Sequence, residues 1–98
     1  MKWTRETLEL AHKHSIYNRQ EILRSRMCGC FYCGETFPPA KLDDALDWTD
    51  DYHPETTALC PECWIDAVIG DASGFPVEDP DFLQAMHIFW FEDQEYAS

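Results

Sequence analysis

The chain has 98 residues, 19 of them Asp or Glu against 7 Lys or Arg, for a formal net charge of −12. A surface this acidic repels phosphate backbones and argues against nucleic acid as a partner. The longest apolar runs, such as Ile88-Phe89-Trp90-Phe91, fall far short of a membrane span, and Met1–Glu6 carries no apolar signal segment.

The length suits a single domain, residues 1–98, near the lower limit of what one hydrophobic core stabilises unaided. Residues 4–26 are expected to form one long helix. Thr4 suits the N-cap, no Pro or Gly occurs before Gly29, and Leu8, Ala11, Ser15, Arg19, Ile22, Leu23 and Arg26 recur at steps of three and four. Ile16 lies off that stripe. Arg24 and Arg26 suit the negative end of the helix dipole. Five of the seven basic residues lie in this segment, so they do not form a binding face around the rest of the chain.

Cys28 to Gly34 reads as a tight loop in which Gly34 permits a sharp turn. Pro38-Pro39 ends regular structure. Residues 45–49 and 56–60 then read as two short strands of a hairpin, joined by 50–55. Cys60 closes the second strand, and Pro61 suits the first position of a following helix. That helix would turn Trp64, Ile65, Ala67 and Val68 toward the core and stop at Gly70. Ser73-Gly74-Phe75-Pro76 marks a turn. Asp79-Pro80 then provides an N-cap and first position for a last helix over about 80–92, with Phe82, Leu83, Met86, Phe89 and Trp90 as its apolar stripe.

Two C-x2-C pairs, Cys30/Cys33 and Cys60/Cys63, stand 26 residues apart. Each spacing lets two thiolates bind one ion, and four sulfurs around a tetrahedral Zn²⁺ make a closed, structural site with no position for substrate. Cys30, Cys33, Cys60 and Cys63 are therefore the expected metal ligands, with structural Zn²⁺ as the cofactor. Metal spacing and an odd total of five cysteines disfavour a disulfide framework and suit a reducing, cytoplasmic compartment. A redox role for the C-x2-C pairs would need a βαβ setting, which the chain lacks. Cys28 is an alternative ligand through Cys28-Gly29-Cys30, or a small buried residue beside the site, or a reactive thiol. Four thiolates and one Zn²⁺ would bring the net charge to about −14.

The order knuckle, hairpin, then a Cys pair at a helix start resembles a treble clef. The expected fold is α+β: a small treble-clef-like zinc domain with a short β-hairpin, a long N-terminal helix and a C-terminal amphipathic helix. The stretch Cys28-Gly-Cys-Phe-Tyr-Cys-Gly, with Trp48-Thr-Asp and Thr57-Ala-Leu-Cys-Pro-Glu-Cys-Trp-Ile-Asp-Ala-Val-Ile-Gly, resembles a family of small bacterial cytoplasmic proteins sharing CGCFYC…W-x-D…TALCP-x-C-x-x-D-x-V-I-G. The resemblance runs from about His14 to Phe91, with Ala40 to Leu46 as a short insertion. It implies the four-cysteine site and a bacterial cytoplasm, and no particular activity.

The expected function is a zinc-stabilised cytoplasmic module acting through protein–protein contact, with inhibition of a basic partner as a specific form. The competing class is an enzyme. Treble clefs occur in His-Asn-His nucleases, for which His53 is the one candidate base and Asp50 or Asp51 the candidate metal ligands; the Asn and His expected after Cys63 are missing. A thiol-based enzyme would use Cys28. His12, His14 and His87 read as surface or boundary histidines, and Trp3, Trp48, Trp64 and Trp90 as core.

Overall fold

The computed structural model describes residues 3–43, 47–49 and 56–92. Thr4 caps the first helix, α1 (Arg5–His12), by accepting a hydrogen bond from the Thr7 amide at 3.2 Å. Leu8 and Ala11 face inward from it, one turn apart on the same side. A 3-10 turn at Lys13–Ser15 follows, and the chain then leaves the helical path at Ile16. The second helix, α2, is only Arg19–Arg24, with Ile22 buried.

The expected single helix over 4–26 is thus two helices, and tertiary hydrogen bonds explain the break. Tyr17 takes a left-handed conformation, φ 50°, and its amide donates to Thr57 Oγ1 at 2.8 Å. Asn18, nearly fully buried, donates from Nδ2 to the His14 and Val68 carbonyls, both at 2.8 Å. Its Oδ1 accepts from the Ala58 amide at 3.0 Å. A continuous helix would aim these groups elsewhere and leave the Ala58 N–H without this acceptor.

A three-stranded antiparallel sheet forms the centre. β1 (Cys28–Cys30) lies between β2 (Thr36–Phe37) and β3 (Val68–Gly70). The register places Cys28 opposite both Phe37 and Gly70, and Cys30 opposite Val68. All three residues of β1 are buried, as suits a central strand of small residues. Sequence reading missed this sheet. Residues 45–46 and 50–55 of the expected hairpin lie outside the described residues; within these, Trp48 and Ala58 form an antiparallel bridge, flanked by hydrogen bonds from the Thr49 amide to the Thr57 carbonyl and from the Leu59 amide to the Asp47 carbonyl.

The last helix, α3 (Pro80–His87), begins as expected. Asp79 accepts from the Asp81 amide at 2.9 Å, and Pro80 sits in the first turn. The helix continues as a π-helical turn, Ile88–Glu92. Phe82, Leu83, Met86 and Phe89 are buried against α1 and the sheet, and Trp90 Nε1 donates to the Leu8 carbonyl at 3.3 Å. No helix among the described residues is long and apolar enough to cross a membrane.

Candidate metal centre

Both cysteine pairs sit on tight turns closed by the same two backbone hydrogen bonds. In the first, the Cys30 amide donates to the Glu35 carbonyl at 2.9 Å and the Gly34 amide to the Cys30 carbonyl at 2.8 Å. In the second, the Cys60 amide donates to the Ile65 carbonyl at 3.0 Å and the Trp64 amide to the Cys60 carbonyl at 2.9 Å. The residue after each pair is left-handed: Gly34 at φ 84° and Trp64 at φ 67°. These are two copies of one knuckle.

This corrects the treble-clef expectation for the second pair. No helix occupies 61–70; the chain turns at Pro61–Cys63 and then enters β3. A helix would need negative φ at residue 64, and the positive φ of Trp64 reverses the chain instead. Pro61, which suits the start of a helix, here lies in the turn. Trp64, expected in the core, is 54% exposed, whereas Ala67 and Val68 are buried as expected. Gly70 ends a strand, not a helix.

The two knuckles face each other and bring their four sulfurs within 4.8 Å of one another. Cys30 Sγ lies 3.7 Å from Cys63 Sγ, and Cys33 Sγ lies 3.7 Å from Cys60 Sγ. All are free thiols, the S–S bond of a disulfide being about 2.0 Å. Phe31 binds the knuckles together, its amide donating to the Ala67 carbonyl at 2.9 Å. Cys30 and Cys60 are fully buried, Cys63 half-buried and Cys33 exposed at the rim.

Backbone amides are aimed at the sulfurs, which favours thiolates. The Glu62 amide lies 3.4 Å from Cys60 Sγ, those of Cys33 and Tyr32 point at Cys30 Sγ, and that of Glu35 at Cys33 Sγ. Burial outweighs them for Cys30 and Cys33. It pushes the Cys30 thiol well above its ordinary range and Cys33 up to about 11, with Cys60 adding to both shifts. Four sulfurs this close can ionise together only if a cation neutralises them, so the donor set fits a thiophilic metal ion.

Cys28 is not part of this cluster. It is fully buried on β1, and burial, with Asp71 adding, pushes its thiol up to about 12. A neutral buried thiol is inert. Asp50, Asp51 and His53, the candidate nuclease residues, lie outside the described residues. Among the described residues, the four cysteines are the one group of three or more His, Cys, Asp or Glu positioned for a metal.

The three described histidines make ring contacts or local polar contacts. His12 stacks on Trp90 at 4.0 Å between centroids, His14 Nδ1 lies 2.8 Å from Glu21 Oε1, and His87 Nδ1 donates to the Phe31 carbonyl at 3.2 Å. Beside the exposed Cys33, a groove of about 230 Å³ is lined by Phe31, Tyr32, Gly34, Leu83 and His87. No family model, curated protein or solved structure matches this chain.

Proposed function

We propose that the four cysteines hold one structural Zn²⁺, and that the protein is a small cytoplasmic interaction module engaging a basic protein, as an inhibitor or chaperone of its basic surface. The carrying observation is the closed four-sulfur cluster. Four sulfurs about 2.3 Å from a tetrahedral zinc stand about 3.8 Å apart; two of the sulfur pairs here stand 3.7 Å apart and all four sulfurs lie within 4.8 Å of one another. Four protein ligands leave zinc no open position for water or substrate, which supports a scaffold over a reaction centre. The net charge of −12 supports a basic partner, because complementary charge steers association and like charge rejects nucleic acid. The resemblance to small bacterial cytoplasmic proteins supports the compartment.

Two measurements test this reading. Elemental analysis of protein purified without chelator should give one zinc per chain. Titration against basic proteins should show binding that weakens with salt, whereas duplex and single-stranded oligonucleotides should not bind at micromolar concentration. Salt-sensitive oligonucleotide binding, or a metal content of zero, overturns it.

A further inference from the structure

Charge is segregated along this chain. Residues 1–27 carry six Lys or Arg against three Glu, a net of +3, and residues 28–98 carry one Lys against sixteen Asp or Glu, a net of −15. With 19 carboxylates for 7 cations, each basic side chain would be expected to find an acidic partner. Arg5 does so on Glu9 and Lys41 on Glu62, while Arg19 lies over the Trp48 ring. Lys13 and Arg24 differ. Among the described residues neither side chain has an ion pair or hydrogen bond, and both line one cleft of about 270 Å³ at the break between α1 and α2. The carboxylate in its wall, Glu21, is engaged by His14 Nδ1 at 2.8 Å, and the exposed Ile16 and Tyr17 give it an apolar side. Hydrogen bonds from the Tyr17 amide to Thr57 Oγ1 and from Asn18 Nδ2 to the Val68 carbonyl fix the backbone here. The cleft therefore exists before a ligand arrives, which lowers the ordering cost of binding.

We propose that this cleft binds a small phosphate monoester, with Arg24 and Lys13 on the phosphate oxygens and Ile16 and Tyr17 against the organic part. The site stands apart from the metal centre and from the basic-partner reading. Two unpaired cations match the near-double negative charge of a phosphate monoester at neutral pH. The guanidinium fork takes two of its oxygens at once, and a carboxylate offers half the charge. Size and field both favour a small occupant. Pockets for drug-sized ligands begin at about 300 Å³, slightly more than this cleft holds. The acidic remainder of the chain repels a long polyanion along its length, whereas a small dianion feels mainly the two adjacent cations, since charges beyond a Debye length of about 8 Å are screened.

Amide chemical shifts of isotope-labelled protein, followed at neutral pH and constant ionic strength during titration with phenyl phosphate, benzoate and inorganic phosphate, test the site. Expected are saturating shifts at the amides of residues 13–24, half-complete at millimolar phenyl phosphate. Benzoate lacks one charge and inorganic phosphate lacks the ring, so each should bind roughly five-fold or more weakly. Lys13→Gln and Arg24→Gln, both at exposed positions, should each weaken phenyl phosphate by roughly five-fold with an unchanged melting transition. Arg24→Lys should lose less, keeping the charge without the fork. Shifts that never saturate, that lie outside this segment, or that survive both Gln variants overturn the site. Benzoate binding as tightly as phenyl phosphate makes this a general anion site, and equal affinity for inorganic phosphate assigns it to the free ion; either result overturns the ester. A single-stranded oligonucleotide that shifts the same amides at lower concentration makes the occupant a nucleic acid, overturning both this proposal and the rejection of nucleic acid above.

Discussion

Asn18 Nδ2 donates to the Val68 carbonyl at 2.8 Å, tying the break between α1 and α2 to the strand that leaves the second knuckle. The same side chain holds His14 and Ala58, so one buried amide joins three segments far apart in sequence. Asn18→Leu keeps the volume and strands a buried N–H and a buried carbonyl. It should cost about 2–4 kcal/mol, read as a lowered urea midpoint. A loss below ~1 kcal/mol would mean that water satisfies these groups.

The four-sulfur cluster excludes Cys28, which separates two otherwise similar substitutions. Cys60→Ser should lose the metal and unfold the knuckles, because metal-binding free energy in small domains is largely folding free energy. Cys28→Ser should retain one metal per chain and cost about 1–3 kcal/mol for burying a hydroxyl. Native protein treated with iodoacetamide near pH 8 should leave Cys28 unmodified, its thiol being buried and neutral. Equal metal loss in the two variants would show that the ligand set is wrong.

Gly70 stands on β3 against Ser25. A Cβ there would come 2.9 Å from Ser25 Cβ and closer still to its hydroxyl. That hydroxyl cannot swing away cheaply, because it donates to the Glu21 carbonyl and accepts from the Ala72 amide. Gly70→Ala should destabilise by about 1–3 kcal/mol through overpacking. The double variant with Ser25→Gly should recover part of that loss in thermal unfolding.

His12 gives the fold an acid-sensitive joint. Burial against Trp90 holds its pKa below the ordinary 6.5, and Asp66 opposes this only in part. Between the folded and ordinary values the unfolded chain binds a proton that the folded chain does not, so stability is full above 6.5 and falls as pH drops through the folded value. Wild type should lose more stability than His12→Phe between pH 7.5 and pH 5.5, measured by urea unfolding. Equal losses would place the acid sensitivity elsewhere, in the thiolates above all.

The four-cysteine cluster was legible because C-x2-C spacing brings the two sulfurs of each pair to one side of a tight turn. The C-terminal helix was legible for a similar reason, as Asp79-Pro80 is a local start signal followed by a regular apolar stripe. The second knuckle was not. Pro61 fits a turn as well as a helix start, and Trp64 hides the left-handed position that Gly34 advertises in the first knuckle. The break near Asn18 was invisible because its cause lies 40 and 50 residues away, at Ala58 and Val68. Strands of two or three residues, such as Thr36–Phe37, are too short for alternation to register, and the sheet went unread.

The facing knuckles also fix how the molecule should respond to mechanical load. Cys30 and Cys63 are 33 positions apart in sequence and 3.7 Å apart at their sulfurs, so a bound metal hides the intervening chain from a force applied at the two ends. In single-molecule pulling, the joint between Leu8 and Trp90 bears load first and yields with the helices. The metal–thiolate clamp then holds back about 110 Å of contour length, released in a second, separate rupture that a chelator abolishes.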